Sequence, residues 1–226
     1  MKLINVRGTN GTGKSTAIRT FLQHEPANFS GNENSPVKKI DLHYYTEEMK
    51  TGTKDRFVEG YANNDDLVIV VGDYSTMAGG MDKIKKFEYA FAAIRKAVEL
   101  AELHEFKAVV FEGILASTVW GSWGAFAAEM RDEGHEFIFM GLEVPLDVAL
   151  ARIQRRNGGK PVNEEQVAAK ISAVESSLQK AATAGFRVET CIVDEDLEDA
   201  GHNTIIANSP QGNFLRDIVN GEPHVG

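Results

Sequence analysis

Residues 8–15 have the composition and spacing of a phosphate-binding loop. They read Gly-Thr-Asn-Gly-Thr-Gly-Lys-Ser, which fits the pattern G-x-x-x-x-G-K-[ST]. Three glycines let the backbone curl so that successive N–H groups point inward, at the positive end of a following helix. In such a loop Lys14 reaches the β and γ phosphates, and Ser15 ligates Mg²⁺. The motif therefore predicts that the chain binds a nucleoside triphosphate.

The segments on both sides of this loop have the structure that the motif requires. The apolar run over residues 2–7 predicts a strand, and residues 14–23 are predicted to form a helix. A glycine-rich turn that matched the pattern by chance would lack this strand and helix. The predicted nucleotide-binding residues are Gly8, Thr9, Asn10, Gly11, Thr12, Gly13, Lys14, Ser15 and Thr16.

A candidate carboxylate stands at the end of a later strand. Residues 108–113 read Ala-Val-Val-Phe-Glu-Gly, and this apolar run predicts a buried strand with Glu112 at its carboxyl end. Open α/β sheets place ligand-contacting groups at that end. We expect Glu112 to act in catalysis, either by holding a Mg²⁺-bound water or by accepting the proton of the acceptor. The alternative is a charge at the rim of the sheet that faces water.

Three arginines mark the end of a predicted helix. Arg152, Arg155 and Arg156 are three and four residues apart, hence on one side of the helix, and a glycine-containing stretch follows. Guanidinium groups suit the charge that spreads over transferring phosphoryl oxygens, so residues of about 152–163 are predicted to form a closing lid. We expect catalytic contacts from Arg152 and Arg156, and nucleotide contacts from Arg152 and Arg155. A basic last turn that stabilises the helix dipole is the alternative.

Residues 72–82 contain groups that nucleotide binding alone does not explain. They read Gly-Asp-Tyr-Ser-Thr-Met-Ala-Gly-Gly-Met-Asp and follow a buried strand. The glycine pair lets backbone approach a ligand closely, and Asp73 and Asp82 can each accept a proton from an acceptor. Both aspartates are therefore candidate catalytic residues. Asp82 also begins a predicted amphipathic helix that runs to about Phe106, so a role as its N-cap is the alternative.

Apolar periodicity predicts alternating strands and helices, which is typical of a parallel sheet covered by helices on both faces. We expect a single domain over residues 1–226, with residues of about 24–66 inserted on the acceptor side. No apolar stretch approaches the roughly 20 residues that cross a bilayer, and the chain runs straight into its first strand. We therefore expect a cytoplasmic protein with no membrane partner.

Composition restricts the remaining classes of function. The formal net charge of −9 argues against a protein that coats nucleic acid through a general basic surface, although a local basic groove is compatible with it. Cys191 is the only cysteine, which excludes an internal disulfide and a thiolate metal cluster. The six histidines have no metal-ligand spacing, so no structural zinc site is expected.

The phosphate loop, the acid within residues 111–113 and the arginine lid together resemble the P-loop nucleoside and nucleotide kinase superfamily, over residues of about 1–193. This resemblance implies a P-loop NTPase-type α/β fold with a parallel sheet of about five strands. It also implies ATP with Mg²⁺, held at Lys14 and Ser15, and lid arginines from the stretch of residues 152–156. The chain departs from common thymidylate kinases, which carry an Asp-Arg-aromatic triplet where residues 112–114 read Glu-Gly-Ile.

Residues 72–74, 79–82 and 110–113 are similar to phage-encoded P-loop kinases, among them the 5-hydroxymethyluracil DNA kinases, which phosphorylate a base hydroxymethyl group in DNA. The resemblance implies that Asp82 or Asp73 takes the hydroxyl proton, and that Tyr74 and the glycine pair border the acceptor pocket. The expected activity is ATP-dependent transfer to a modified pyrimidine of phage DNA. A free deoxynucleoside monophosphate or a small metabolite as acceptor, and a nucleotide-dependent switch or motor subunit, are the alternatives. A monomer and a homodimer both fit the sequence.

Overall fold

Strands that are apolar along most of their length form the centre of the protein. The computed structural model describes residues 1–22, 35–42, 59–74, 79–82, 84, 86–193 and 209–222. The strands are β1 (Lys2–Arg7), β2 (Val37–Asp41), β3 (Glu59–Asn63), β4 (Val68–Val71), β5 (Ala108–Glu112), β6 (Glu136–Glu143) and β7 (Arg187–Ile192). The helices are α1 (Lys14–Arg19), α2 (Phe87–Leu103), α3 (Ile114–Thr118), α4 (Gly121–Asp132), α5 (Leu146–Arg156), α6 (Glu164–Thr183) and α7 (Pro210–Asn220), and a 3₁₀ helix spans Thr20–Leu22.

These strands form one mixed sheet in the order β2-β3-β4-β5-β1-β6-β7. The run from β4 to β7 is parallel throughout, with β1 between β5 and β6. β2 and β3 extend it by antiparallel pairing. The α/β class is therefore as predicted, but the described sheet has seven strands rather than about five. The two extra strands lie in the predicted insertion, where Val37 is the single buried residue of β2 and the apolar alternation is correspondingly weak.

Helices cover both faces of the sheet. One face carries α2, α4 and α6, whose apolar side chains pack on alternate residues of the central strands. The other face carries α1 and α7. Aromatic rings concentrate in the first core, where Trp123 lies 4.9 Å from Phe91 and 5.6 Å from Phe111 between ring centroids. Among the described residues, no helix is both long enough and apolar enough to cross a membrane.

The long helix of residues 82–106 is shorter than predicted. It begins at Phe87, with Lys86 as its N-cap, and ends at Leu103. Ile84, which continued the apolar spacing toward the N-terminus, belongs instead to a turn in which its N–H donates to the Met81 carbonyl at 2.9 Å. Asp82 is therefore not the N-cap of α2, and that alternative for its role is wrong.

Candidate active site

Parallel pairing of β1 with β5 brings the phosphate loop and Glu112 to the same edge of the sheet. Val6 lies opposite Glu112 in the register, so the loop that follows β1 starts beside the end of β5. A second link joins them, because Ser117 Oγ accepts from the Gly8 N–H at 3.3 Å and donates to the Gly113 carbonyl at 2.8 Å. No local pattern in the sequence predicts a role for Ser117, because that role depends on how α3 packs against β1.

The loop curls around the side chain of Lys14. Gly13 has a φ of +90°, a left-handed conformation that glycine adopts at little cost, and it is the N-cap of α1. Lys14 Nζ donates to the Thr9 carbonyl at 2.9 Å, as does Thr12 Oγ1 at 2.9 Å. Burial lowers the pKa of Lys14, while the nearby charges of Glu112 and Asp82 act to raise it. The ammonium group is thus held inside the loop.

Glu112 is buried against the glycine-rich loop of residues 8–15. It is 1% exposed, so the alternative of a charge at the rim that faces water is wrong. Ser15 Oγ donates to Glu112 Oε1 at 2.7 Å. Burial raises the pKa of Glu112 from 4.5 to about 7, although the Lys14 charge and the Ser15 hydrogen bond both act to lower it. The carboxyl group therefore titrates near neutral pH.

Residues 79–82, which we call the glycine strap, cross the end of β5. Asp73 and Gly80 pair through two backbone hydrogen bonds of 3.0 and 3.1 Å, and the Met81 N–H donates to the Glu112 carbonyl at 2.9 Å. Gly80 has a φ of +86°, and a Cβ added there would lie 2.7 Å from Glu112 Cδ. A side chain at this position would therefore displace the carboxylate or the strap.

The two candidate aspartates occupy different surroundings. Asp82 is exposed, and its charge acts on the pKa of both Lys14 and Glu112. Asp73 is half-buried, and its charge acts on the pKa of Lys39 and Tyr61. The structure thus brings Asp82 together with the phosphate loop and Glu112, and places Asp73 toward β2 and β3.

Tyr74 lies in the core and packs on the glycine strap, since a Cβ added at Gly79 would lie 2.5 Å from Tyr74 Cδ1. Its side chain is 1% exposed and meets the ring of Tyr61 edge-on, with 6.2 Å between ring centroids. Arg19 Nη2 donates to its carbonyl at 3.3 Å. Tyr74 therefore anchors the start of residues 72–82 on the face of the sheet that carries α1.

The three arginines at the end of α5 are placed differently with respect to the loop. Arg152 is half-buried, and its Nη1 donates to the Gly11 carbonyl at 3.3 Å. Arg156 is exposed, and its charge acts to lower the pKa of Lys14. Arg155 is exposed in the same turn. Two of the three therefore act on the phosphate loop, one by contact and one through its charge.

Gln211 is a further residue at the loop, and the sequence reasoning missed it. It lies in the first turn of α7 and is 5% exposed. A Cβ added at Gly13 would lie 2.8 Å from Gln211 Nε2, so the carboxamide packs directly on the loop. Ser209 followed by proline is a helix-start signal. No local pattern, however, predicts which surface a helix start contacts.

Comparison with known proteins identifies the family. A family model of 5-hmdU DNA kinases matches residues 63–193. The 5-hmdU DNA kinase of Pseudomonas phage M6 is 34% identical to this chain over 205 residues, which cover 88% of this chain and 95% of that protein. The chain belongs to the 5-hmdU DNA kinase family. Membership confirms the resemblance drawn from residues 72–74, 79–82 and 110–113, and the prediction of a kinase.

Other members of the family align over most of their length. The 5-hmdU DNA kinase of Pseudomonas phage PaMx11 is 27% identical over 212 residues, covering 89% of this chain and 94% of that protein. The 5-hmdU DNA kinase 1 of Salmonella phage ViI is 25% identical over 182 residues, which cover 79% of this chain and 70% of that protein. The family model begins after the phosphate loop. The glycine strap, Glu112 and the arginines thus lie inside the region that defines 5-hmdU DNA kinases.

Proposed function

We propose that this chain transfers the γ-phosphoryl group of ATP to the hydroxymethyl group of 5-hydroxymethyluracil in DNA. One observation carries the proposal: the glycine strap, inside the family-defining region, lies against the same carboxylate that Ser15 of the phosphate loop contacts. A triphosphate held by the loop and an acceptor at the strap would meet at Glu112. The parallel strands β4 to β7 around β1 support assignment of the fold to the P-loop kinases.

The transfer needs a base for one proton. The hydroxymethyl oxygen attacks the γ phosphorus, the bond from that phosphorus to the β–γ bridging oxygen breaks, and ADP leaves. We assign the hydroxyl proton to Asp82, because it is exposed near Lys14 whereas Glu112 already accepts from Ser15. Asp73 lies toward Lys39 and Tyr61, which makes it the weaker candidate.

The pair of Ser15 and Glu112 fits a magnesium site. A hydroxyl has one hydrogen and two lone pairs, so Ser15 Oγ can donate to Glu112 and still offer a lone pair to a cation. Mg²⁺ binds through few protein oxygens together with waters and substrate phosphates. Among the described residues no group of three or more His, Cys, Asp and Glu side chains could hold a metal by itself. Bound Mg²⁺ would neutralise phosphate charge, with Glu112 contacting it directly or through water.

The arginines of α5 would complete the charge around the phosphates. Arg152 is already anchored on the loop through the Gly11 carbonyl, so a small rotation would bring its guanidinium to a bound nucleotide. Arg155 and Arg156 are exposed at the end of the same helix. We propose that these residues stabilise negative charge on the transferring oxygens, with residues 157–163 as the connection that lets α5 close.

A transfer assay with defined acceptors tests the function. The protein is incubated with γ-labelled ATP, Mg²⁺ and one acceptor at a time: duplex DNA with 5-hydroxymethyluracil, the same duplex with thymine, and each free deoxynucleoside monophosphate. We expect label in the modified duplex alone, and at least about 100-fold slower labelling with a Lys14→Ala variant. Label in a free nucleotide would make this a nucleotide kinase. ATP hydrolysis without any labelled acceptor would favour a switch or motor.

A further inference from the structure

A pocket lies beside the glycine strap, on the face of the sheet that carries α2 and α4. Asp82 and Gly113 line it where it approaches Glu112. The remaining walls are mostly apolar and include Met81, Ile84, Phe87, Ala90, Ala116 and the indole of Trp123. We call it the Trp123 pocket. It adjoins the proposed reaction centre but belongs to none of the nucleotide-binding elements described above.

Trp123, which lines this pocket, has an unpaired hydrogen-bond donor. The side chain is 1% exposed, and within the described residues its Nε1 has no hydrogen-bond partner. Stacking on Phe111 and edge contacts with Phe87 and Phe91 fix the ring in place. Burying a donor without a partner costs free energy. A ligand with an acceptor oxygen in the pocket would remove this cost.

We propose that the Trp123 pocket receives the pyrimidine ring of the DNA acceptor after the base has left the helix stack. This inference rests on the proposed function and specifies where its acceptor binds. The apolar walls contact the faces of the ring, and Trp123 Nε1 donates to one of its carbonyl oxygens. The hydroxymethyl group then points toward Asp82, at the end of the pocket that approaches Glu112.

Burial of the reaction centre is the reason why the base must leave the stack. Glu112 is 1% exposed, and the glycine strap crosses above it. Although Asp82 is exposed, the loop that would hold the γ phosphate lies beside this recessed carboxylate, and Lys14 in that loop is 8% exposed. A base held inside a duplex could not carry its substituent there. Enzymes that react with bases solve this problem by extruding the nucleotide into a pocket that contacts its ring and its hydrogen-bonding edge.

A lysine lies at the rim of the pocket, where the DNA backbone would approach. Lys86 lines the rim of the pocket and is exposed, in an ion pair of 3.3 Å with Glu88 that solvent weakens. Lys83 and Lys85 precede it, which gives three lysines in four residues of a chain with a net charge of −9. Phosphate groups bind through such local clusters. The acidic total charge is thus compatible with a DNA substrate.

The pocket must widen to admit a base. It encloses about 20 Å³, enough for about one water molecule and too little for a pyrimidine ring. Entry of the ring therefore has to move the side chains that line it, among them Phe87, which meets Trp123 edge-on at 6.5 Å between centroids. Binding should for this reason change the surroundings of the Trp123 indole.

Trp123 fluorescence measures this change directly. The chain has two tryptophans, so Trp120→Phe leaves Trp123 as the single emitter. This variant is titrated, without ATP, with duplex DNA that carries 5-hydroxymethyluracil or thymine at one position. We expect a saturable change of emission with the modified duplex and none with the other. Unchanged emission at concentrations of modified duplex that saturate fluorescence anisotropy of labelled DNA would overturn the proposal.

A matched pair of variants tests the hydrogen bond. Trp123→Phe removes the donor and keeps an aromatic wall, whereas Trp120→Phe makes the same chemical change outside the pocket. We expect Trp123→Phe to raise the KM for modified DNA by about 3- to 10-fold. The KM for ATP should not change in either variant, and Trp120→Phe should leave both constants unaltered.

Failure of this inference is distinguishable from failure of the proposed function. If modified DNA is phosphorylated and the two variants have equal KM values for it, the pocket assignment is wrong while the function stands. If the unaltered protein labels no DNA, the function is wrong and the pocket assignment falls with it.

Discussion

The buried carboxyl group of Glu112 should make the stability of this protein depend on pH. Its pKa is about 7 in the folded protein and 4.5 in the reference state. Between these values the folded protein retains a proton that the unfolded chain has lost. The free energy of unfolding therefore falls as the pH rises from 4.5 to 7, and levels off above 7.

Glu112→Gln should remove this penalty. The shift of about 2.5 units, from 4.5 to 7, corresponds to about 3 kcal/mol at 1.36 kcal/mol per unit. Glutamine has the same shape, and its oxygen can still accept from Ser15 Oγ. The pKa of about 7 already includes the attraction of Lys14, so we expect the variant to be more stable by up to about 3 kcal/mol above pH 7. Phosphoryl transfer should be lost.

Urea unfolding at about pH 5 and about pH 8, without nucleotide, measures the effect. The free energy of unfolding of Glu112→Gln should exceed that of the unaltered protein by a large amount at about pH 8 and by a small amount at about pH 5. Glu175→Gln is the control, because it makes the same chemical change at an exposed position of α6. If Glu112→Gln is equally stable or less stable than the unaltered protein at both pH values, the folded carboxyl group has an ordinary pKa and the reasoning is refuted.

Three further variants test the site. Gly80→Ala should lower both stability and kcat. Gly134→Ala is its control, because Gly134 also has a positive φ but an added Cβ there would have nothing within 4 Å, so this variant should lower stability alone. Thermal unfolding measures the stability of each variant, and transfer assays measure its kcat. Asp82→Asn should lower kcat by about 10²- to 10⁴-fold, and an equal loss in Asp73→Asn would contradict our assignment of the base. Lys14→Ala should cost about 10²- to 10³-fold in kcat/KM for ATP, and retained activity would exclude the loop as the triphosphate site.

Local signals predicted the structure around residues 8–15 well. A phosphate loop is a contiguous motif, so residues 8–15 and the strand and helix around them followed from the sequence. Glu112 followed from an apolar strand of five residues that ends in a single acid, because such strands lie inside a parallel sheet. Because β1 and β5 pair in parallel, the loop of residues 8–15 and Glu112 must lie at the same edge of the sheet.

The acceptor side depended on contacts that no local pattern encodes. The sequence makes Asp73 only the less specific of the two candidate aspartates. The structure separates them, because Asp82 lies near Lys14 and Glu112 whereas Asp73 lies toward Lys39 and Tyr61. The position of Tyr74 in the core follows from its packing on Tyr61. Tyr61 lies in β3, a strand that the sequence analysis did not separate from the rest of the predicted insertion. Gln211 reaches the loop through the packing of α7 on α1.

The geometry also bears on how the two substrates can influence each other. Ser15 contacts the Glu112 carboxylate from the nucleotide side, and Gly80 packs against the same carboxylate from the acceptor side. The Met81 N–H donates to the Glu112 carbonyl, so the strap is tied to the backbone of the same residue. If an entering base displaced the strap, the contact of Glu112 with Ser15 would therefore change directly, with no other residue in between. A buried, closely packed acid is suited to this role, because it has no solvent space into which it could move independently.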